Sequence, residues 1–134
     1  ELSMYLTEST LQNGKPAKLR RYTIRMDGFV SINAPMKGGR VISKPIRFSG
    51  SQLSLNFSSS ARGGVRVGLT NLQGKPLPGY SLEDCPWIYG DFLDRVVEWI
   101  QSGEITDDLG SIAGQPVKLV FEMKDADLFS FKFN

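Results

Sequence analysis

Apolar and polar residues alternate along most of this chain, in short segments closed by Gly, Pro, Asn or Asp. A period of two sends successive side chains to opposite faces of a strand, so the pattern predicts half-buried strands rather than amphipathic helices. Leu2, Met4 and Leu6 mark a first strand over residues 2–7. Leu53, Leu55 and Phe57 mark another, as do Val65, Val67 and Leu69. Val117, Leu119, Phe121 and Met123 follow near the end, then Phe129, Phe131 and Phe133. Eight or more short strands with turn residues between them predict an all-β fold: a single, jelly-roll-like β-sandwich of mostly antiparallel strands. Its shared core is expected to hold Ile24, Ile32, Leu55, Val67, Leu119 and Phe131.

The connections follow from local turn chemistry. Residues 10–16 contain Asn13-Gly14 and Pro16 and read as a loop. Tyr22, Ile24 and Met26 precede Asp27-Gly28, and Val30, Ile32 and Ala34 follow it, which is a hairpin signal. A three-residue connection, Asp27-Gly28-Phe29, puts all six apolar residues on one face, with Gly28 at positive φ. Pro35 to Gly39 reads as a turn, and Pro45 interrupts a strand carrying Ile42, Ile46 and Phe48. Residues 58–64, Ser-Ser-Ser-Ala-Arg-Gly-Gly, read as a flexible polar loop. They lack the Gly-Lys-Ser/Thr ending of a phosphate loop, which argues against nucleotide binding. Asp125-Ala126-Asp127 reads as a turn in which Asp127 accepts backbone N–H bonds, and residues 107–112 as one helical turn.

One stretch breaks the alternation. Residues 79–99 hold both tryptophans, two of the four tyrosines, the single cysteine and five carboxylates. Its tail, 94–100, fits a helical face through Phe92, Val96, Trp99 and Ile100. Adjacent β-branched Val96 and Val97 favour a strand instead. An aromatic, acidic connection on a rigid β scaffold is where binding chemistry collects. Aromatic rings stack on the C–H face of a pyranose while carboxylates and guanidinium groups bond its hydroxyls. Trp87, Tyr89 and Tyr80 supply rings here, and Glu83, Asp84, Asp91 and Arg62 supply polar partners. The alternative for a large aromatic is a plug in the core, expected for Trp99 and open for Trp87. Pro86 stiffens the loop that carries Trp87. Asp84 and Asp91 are also compatible with a glycosidase pair or with oxygen-ligated calcium, but Asp caps turns routinely. Cys85 has no histidine or cation run to activate it and reads as a small buried hydrophobe.

Composition excludes several other classes. Without histidine there is no Ser-His or Cys-His nucleophile and the commonest metal ligand is missing. A net charge of +2, with the signs well mixed, points to neither nucleic acid nor an anionic membrane. No apolar run reaches the roughly 20 residues of a membrane span, and none of these residues is expected to be a signal peptide. One cysteine allows no internal disulfide. At 134 residues the chain fits one domain, 1–134, and needs neither a disulfide nor a metal to fold, with calcium still compatible. Starting at Glu1 rather than Met, it is expected to be a processed chain or a piece of a longer one.

Several segments together resemble a known family. They are residues 19–31 (Leu-Arg-Arg-Tyr-Thr-Ile-Arg-Met-Asp-Gly-Phe-Val-Ser), Gly38-Gly39, Pro45, Phe48-Ser49-Gly50 and residues 53–56. Gly79-Tyr80-Ser81-Leu82-Glu83-Asp84-Cys85, Gly90-Asp91, Ala113-Gly114-Gln115-Pro116-Val117 and residues 125–131 continue them. Nearly the whole chain thus resembles the C-terminal β-sandwich of bacterial glycoside-hydrolase-like proteins, in which a five-bladed β-propeller carries the candidate catalytic site. Trp87 stands where that family is expected to vary and to be polar. The resemblance implies a non-catalytic, carbohydrate-binding-module-like accessory domain of an exported polysaccharide-degrading protein, secreted or periplasmic. Its partners would be an oligo- or polysaccharide and the catalytic domain of the parent chain, with residues 1–8 as the connection between domains. Two alternatives stay open: a structural domain that packs on the propeller without binding sugar, and a carboxylate-based glycoside hydrolase.

Overall fold

The computed structural model describes residues 1–8 and 16–134; most of the loop expected at 10–16 lies outside them. The fold is all-β and antiparallel, with one curled sheet and the sandwich-like packing the alternation predicts. The chain forms two compact units, Glu1–Val30 and Ser31–Asn134.

In the first unit β1 (Leu2–Glu8) pairs with β2 (Lys18–Ile24). The register sets Leu2 opposite Ile24 and Met4 opposite Tyr22, so these four side chains share a face. Tyr22 donates its hydroxyl proton to Glu8, and that hydrogen bond raises the tyrosine pKa. The hairpin expected between Tyr22 and Ala34 does not form. β2 takes β1 as its partner, while residues 32–34 pair elsewhere. A tight turn does close at this point, with Gly28 N–H donating to the Arg25 carbonyl at 2.9 Å, but Asp27 rather than Gly28 takes positive φ, at 56°. An aspartate tolerates this left-handed region better than most residues.

The second unit is built on two long strands, β5 (Leu53–Thr70) and β9 (Lys118–Phe133), paired along nearly their whole length. β3 (Ile32–Ala34) and β4 (Gly39–Ile42) both add to the far edge of β9, separated by a turn in which Gly38 N–H donates to the Pro35 carbonyl. β6 (Asp91–Val96) adds to the first half of β5. β7 (Trp99–Gln101) and β8 (Glu104–Thr106) form a small hairpin, and Gly110–Ile112 is one 3-10 turn within the expected 107–112. The tail of residues 94–100 is therefore strand, as its paired valines favour.

Residues 58–64 are not a flexible loop. They belong to β5 and carry the bend of the curled sheet. Four residues of β5, 60–63, stand opposite the single Asp125, since Ser59 pairs with Ala126 and Gly64 with Lys124. The backbones meet closely there: a Cβ on Gly63 would lie 2.3 Å from the Lys124 carbonyl oxygen and 2.6 Å from that of Asp125. Nor is 125–127 a turn between strands. The extra residues of this bulge lie on β5; on β9 Asp125, at φ 42°, marks the point where the inward-facing parity reverses. Before it Leu119, Phe121 and Met123 are buried; after it Ala126 and Leu128 are. Asp127 accepts hydrogen bonds from Ser31 Oγ at 2.7 Å and Asn33 Nδ2 at 3.1 Å, tying β3 to β9.

The core lies between the two halves of the curled sheet, where Leu53, Leu55 and Phe57 share a cluster with Val65, Val67 and Leu69. Of the expected core residues, Leu55, Val67 and Leu119 are fully buried. Ile32 and Phe131 are exposed and Ile24 is half-buried. Alternation puts Ile24 and Ile32 on one face, but the hairpin that would pair them does not form. Phe131 sits beside buried Leu55 in the register, near the open end of the sheet.

Candidate functional site

The stretch that breaks the alternation is a third, irregular partner of β5. Its second half, 59–70, needs hydrogen-bond partners on the edge away from β9. Residues 77–90 supply them. Leu77 N–H donates to the Leu69 carbonyl and Leu69 N–H to the Tyr80 carbonyl. Val65 and Ile88 exchange both backbone bonds, at 2.8 and 2.9 Å, and Ser59 N–H donates to Gly90. At Val67 the acceptor is the Cys85 sulfur, 3.3 Å away. Burial pushes the Cys85 thiol up to about 11, so at neutral pH it is a neutral, buried group, as expected from its surroundings.

Half of this stretch is consequently structural. Trp99 is fully buried, donates its indole N–H to the Val67 carbonyl at 2.9 Å, and meets Tyr80 edge-on at 5.5 Å. Tyr80 is only 7% exposed and donates its hydroxyl proton to the Asp108 carbonyl at 2.7 Å. Its ring offers no binding surface. Asp84 closes a local turn, accepting from Ser81 N–H at 3.0 Å and Ser81 Oγ at 2.8 Å.

The other half forms a groove of about 390 Å³. Trp87 and Tyr89, both exposed, wall it together with Phe92 from β6. Pro86 and Ile88 complete its apolar lining, and Arg95 and Glu98 are its charged members. These two pair at 3.7 Å, three residues apart, and the Arg95 guanidinium lies 5.9 Å from the Phe92 ring centre. Of the expected polar partners, Asp91 is exposed at the start of β6 and Arg62 is exposed at the bend of β5. Glu83 borders a different groove, beside Arg40 and Leu82. The structure thus brings Trp87 and Tyr89 together and substitutes Arg95 and Glu98 for the carboxylates expected beside them.

Like Arg95 and Glu98, Arg66 was missed by sequence reasoning. Its neighbours Val65 and Val67 face the core, so Arg66 projects from the opposite face of β5. Its guanidinium sits over the Trp87 ring, 5.0 Å from the centre, an attractive cation–π arrangement. It also pairs with Glu122 at 2.5 Å, and Arg40 binds the same carboxylate at 2.9 Å. Burial pushes the Glu122 carboxyl up, but the hydrogen bonds and charges of Arg66 and Arg40 outweigh it and hold the pKa below its ordinary value. Gly64 backs the same ring: a Cβ there would lie 3.2 Å from Trp87 Cε3 and 2.9 Å from the Ile88 carbonyl oxygen. Trp87, 43% exposed, is held in place rather than loose. Alternation of Val65-Arg66-Val67 was the available signal for Arg66, but which ring it meets depends on the pairing of Val65 with Ile88.

Among the described residues no group of three or more Cys, Asp or Glu side chains is gathered closely enough to hold a metal ion. Among the described residues no helix is long and apolar enough to cross a membrane. Comparison of the chain with protein-family models, curated proteins and solved structures returned no match.

Proposed function

We propose that the unit Ser31–Asn134 is a non-catalytic, carbohydrate-binding-module-like domain that takes an oligo- or polysaccharide along the Trp87–Tyr89 groove. The observation that carries this reading is the aromatic wall of Trp87, Tyr89 and Phe92 beside the Arg95–Glu98 pair. Rings supply stacking surface for a pyranose, and the charged pair supplies donors and acceptors for its hydroxyls. Arg66 and Gly64 hold the Trp87 ring before any ligand arrives, which lowers the entropy lost on binding. Glycoside hydrolysis is disfavoured because it requires two carboxyl groups flanking the bond, and among the described residues Glu98 is the single carboxylate lining this groove. The parent protein on this reading is an exported, bacterial polysaccharide-degrading protein.

A second reading, a structural domain docking on the catalytic domain of the parent chain, is favoured by the β1–β2 hairpin. Leu2, Met4 and Tyr22 are exposed on one of its faces, and a two-stranded hairpin is marginally stable without something covering it. A glycan-array screen of the 134-residue protein separates the two. Binding to a defined set of glycans that is lost in Tyr89→Ala supports the carbohydrate-binding reading. An array without signal leaves the docking reading.

A further inference from the structure

Trp87 borders a second groove, of about 280 Å³, whose character differs from the first. Lys37, Arg40 and Lys124 line it, and among the described residues Glu122 is its one carboxylate. That carboxylate is already shared by Arg40 and Arg66. Four cations therefore surround one acid, and neither Lys37 nor Lys124 has a carboxylate partner among the described residues. These cations come from three separated segments: the turn before β4 and β4 itself, the second half of β5, and the bend of β9. A net charge of +2 over the whole chain conceals this local excess.

We propose, on the footing of the carbohydrate-binding reading above, that the glycan is anionic. Its sugar ring stacks along Trp87 and Tyr89, and its carboxylate or sulfate ester lies in the second groove against Lys37 and Lys124. The argument is charge complementarity next to a stacking surface. Arg40 and Arg66 are both held by Glu122, one on each carboxylate oxygen. The two lysines are left to meet an anion from outside, and lysine serves as a compact point charge for carboxylate or sulfate alike. A neutral chain would leave this excess of cations uncompensated, whereas an acidic one supplies the missing partner.

The test uses matched pairs of probes on the 134-residue protein: polygalacturonate against its methyl ester, and dextran sulfate against dextran. The charged member of at least one pair should bind about tenfold more tightly at low salt, and the advantage should shrink as ionic strength rises. The polygalacturonate pair reads a carboxylate and the dextran pair a sulfate. A K37A/K124A double variant, with its fold checked by thermal melt, should lose that advantage. Binding of neutral and charged members with equal affinity, indifferent to salt, overturns the anionic assignment while the carbohydrate reading stands. No binding to any glycan, neutral or charged, overturns both. Tighter binding to a single-stranded oligonucleotide than to either acidic glycan also overturns both, since the cations and rings would then serve a nucleic acid.

Discussion

At the residue scale, the site depends on side chains and glycines chosen for their neighbours. Gly64 is the clearest case, because an alanine there puts a methyl group inside the approach of Ile88 and Trp87. Gly64→Ala should cost about 1–3 kcal/mol of stability through overpacking and should weaken glycan binding at the same time, because the displaced ring is the platform. A denaturant melt and a binding titration on one sample check it; loss of neither would mean the ring is not held by this contact. Glu122 gives a pH-dependent counterpart. Its folded pKa is depressed, so its contribution to stability is complete above the ordinary carboxylate pKa and is lost as pH falls through the folded value. The difference in melting midpoint between wild type and Glu122→Gln should accordingly be largest near neutral pH and vanish in acid. A difference that stayed constant with pH would assign the effect to packing rather than charge.

At the scale of elements, local patterns located strands well and partners poorly. Residues 53–57, 65–69 and 117–123 alternate so regularly that the burial of their apolar members follows directly, whereas the burial of Ser54 and Asn56 on the other face of β5 does not. The bend between the halves of β5 was not legible, because Ser, Ala, Arg and Gly suit a loop and an accentuated bend equally, and distant Asp125 decides between them. An aspartate in the left-handed region is the same local signal in a turn and in a bulge, so 125–127 misled for the same reason. The Tyr22–Ala34 hairpin failed because alternation says which face a residue takes, not which strand lies beside it. Deleting Asp125 tests the parity reversal in β9 directly. Removing one residue turns Ala126 and Leu128 outward and their neighbours in, so the variant should lose its cooperative thermal transition. A near-native melt would show that the inward set of β9 does not depend on this residue.

At the scale of the whole molecule, two long strands carry both the core and the site. β5 buries Val65 and Val67, presents Arg66 on its other face, and holds the Trp87 segment by the Val65–Ile88 pairing. The sequence showed the aromatic stretch and the rings Trp87 and Tyr89, but not that Tyr80 is spent on Trp99 and Asp108, since buried and exposed rings look alike in a loop. Nor could it show Arg66, Arg95 and Glu98 converging on those rings, which requires β5, β6 and the link that follows β6 to be in place. The central claim is that Trp87 is a binding platform on a finished scaffold. Calorimetric titration of Trp87→Ala against wild type, with a glycan that binds the native protein, tests it most directly. The account predicts a loss of about 2 kcal/mol in binding, as for an aromatic anchor, with the melting curve of the variant nearly unchanged. Unchanged affinity accompanied by a large fall in stability would contradict it and make Trp87 a structural plug like Trp99.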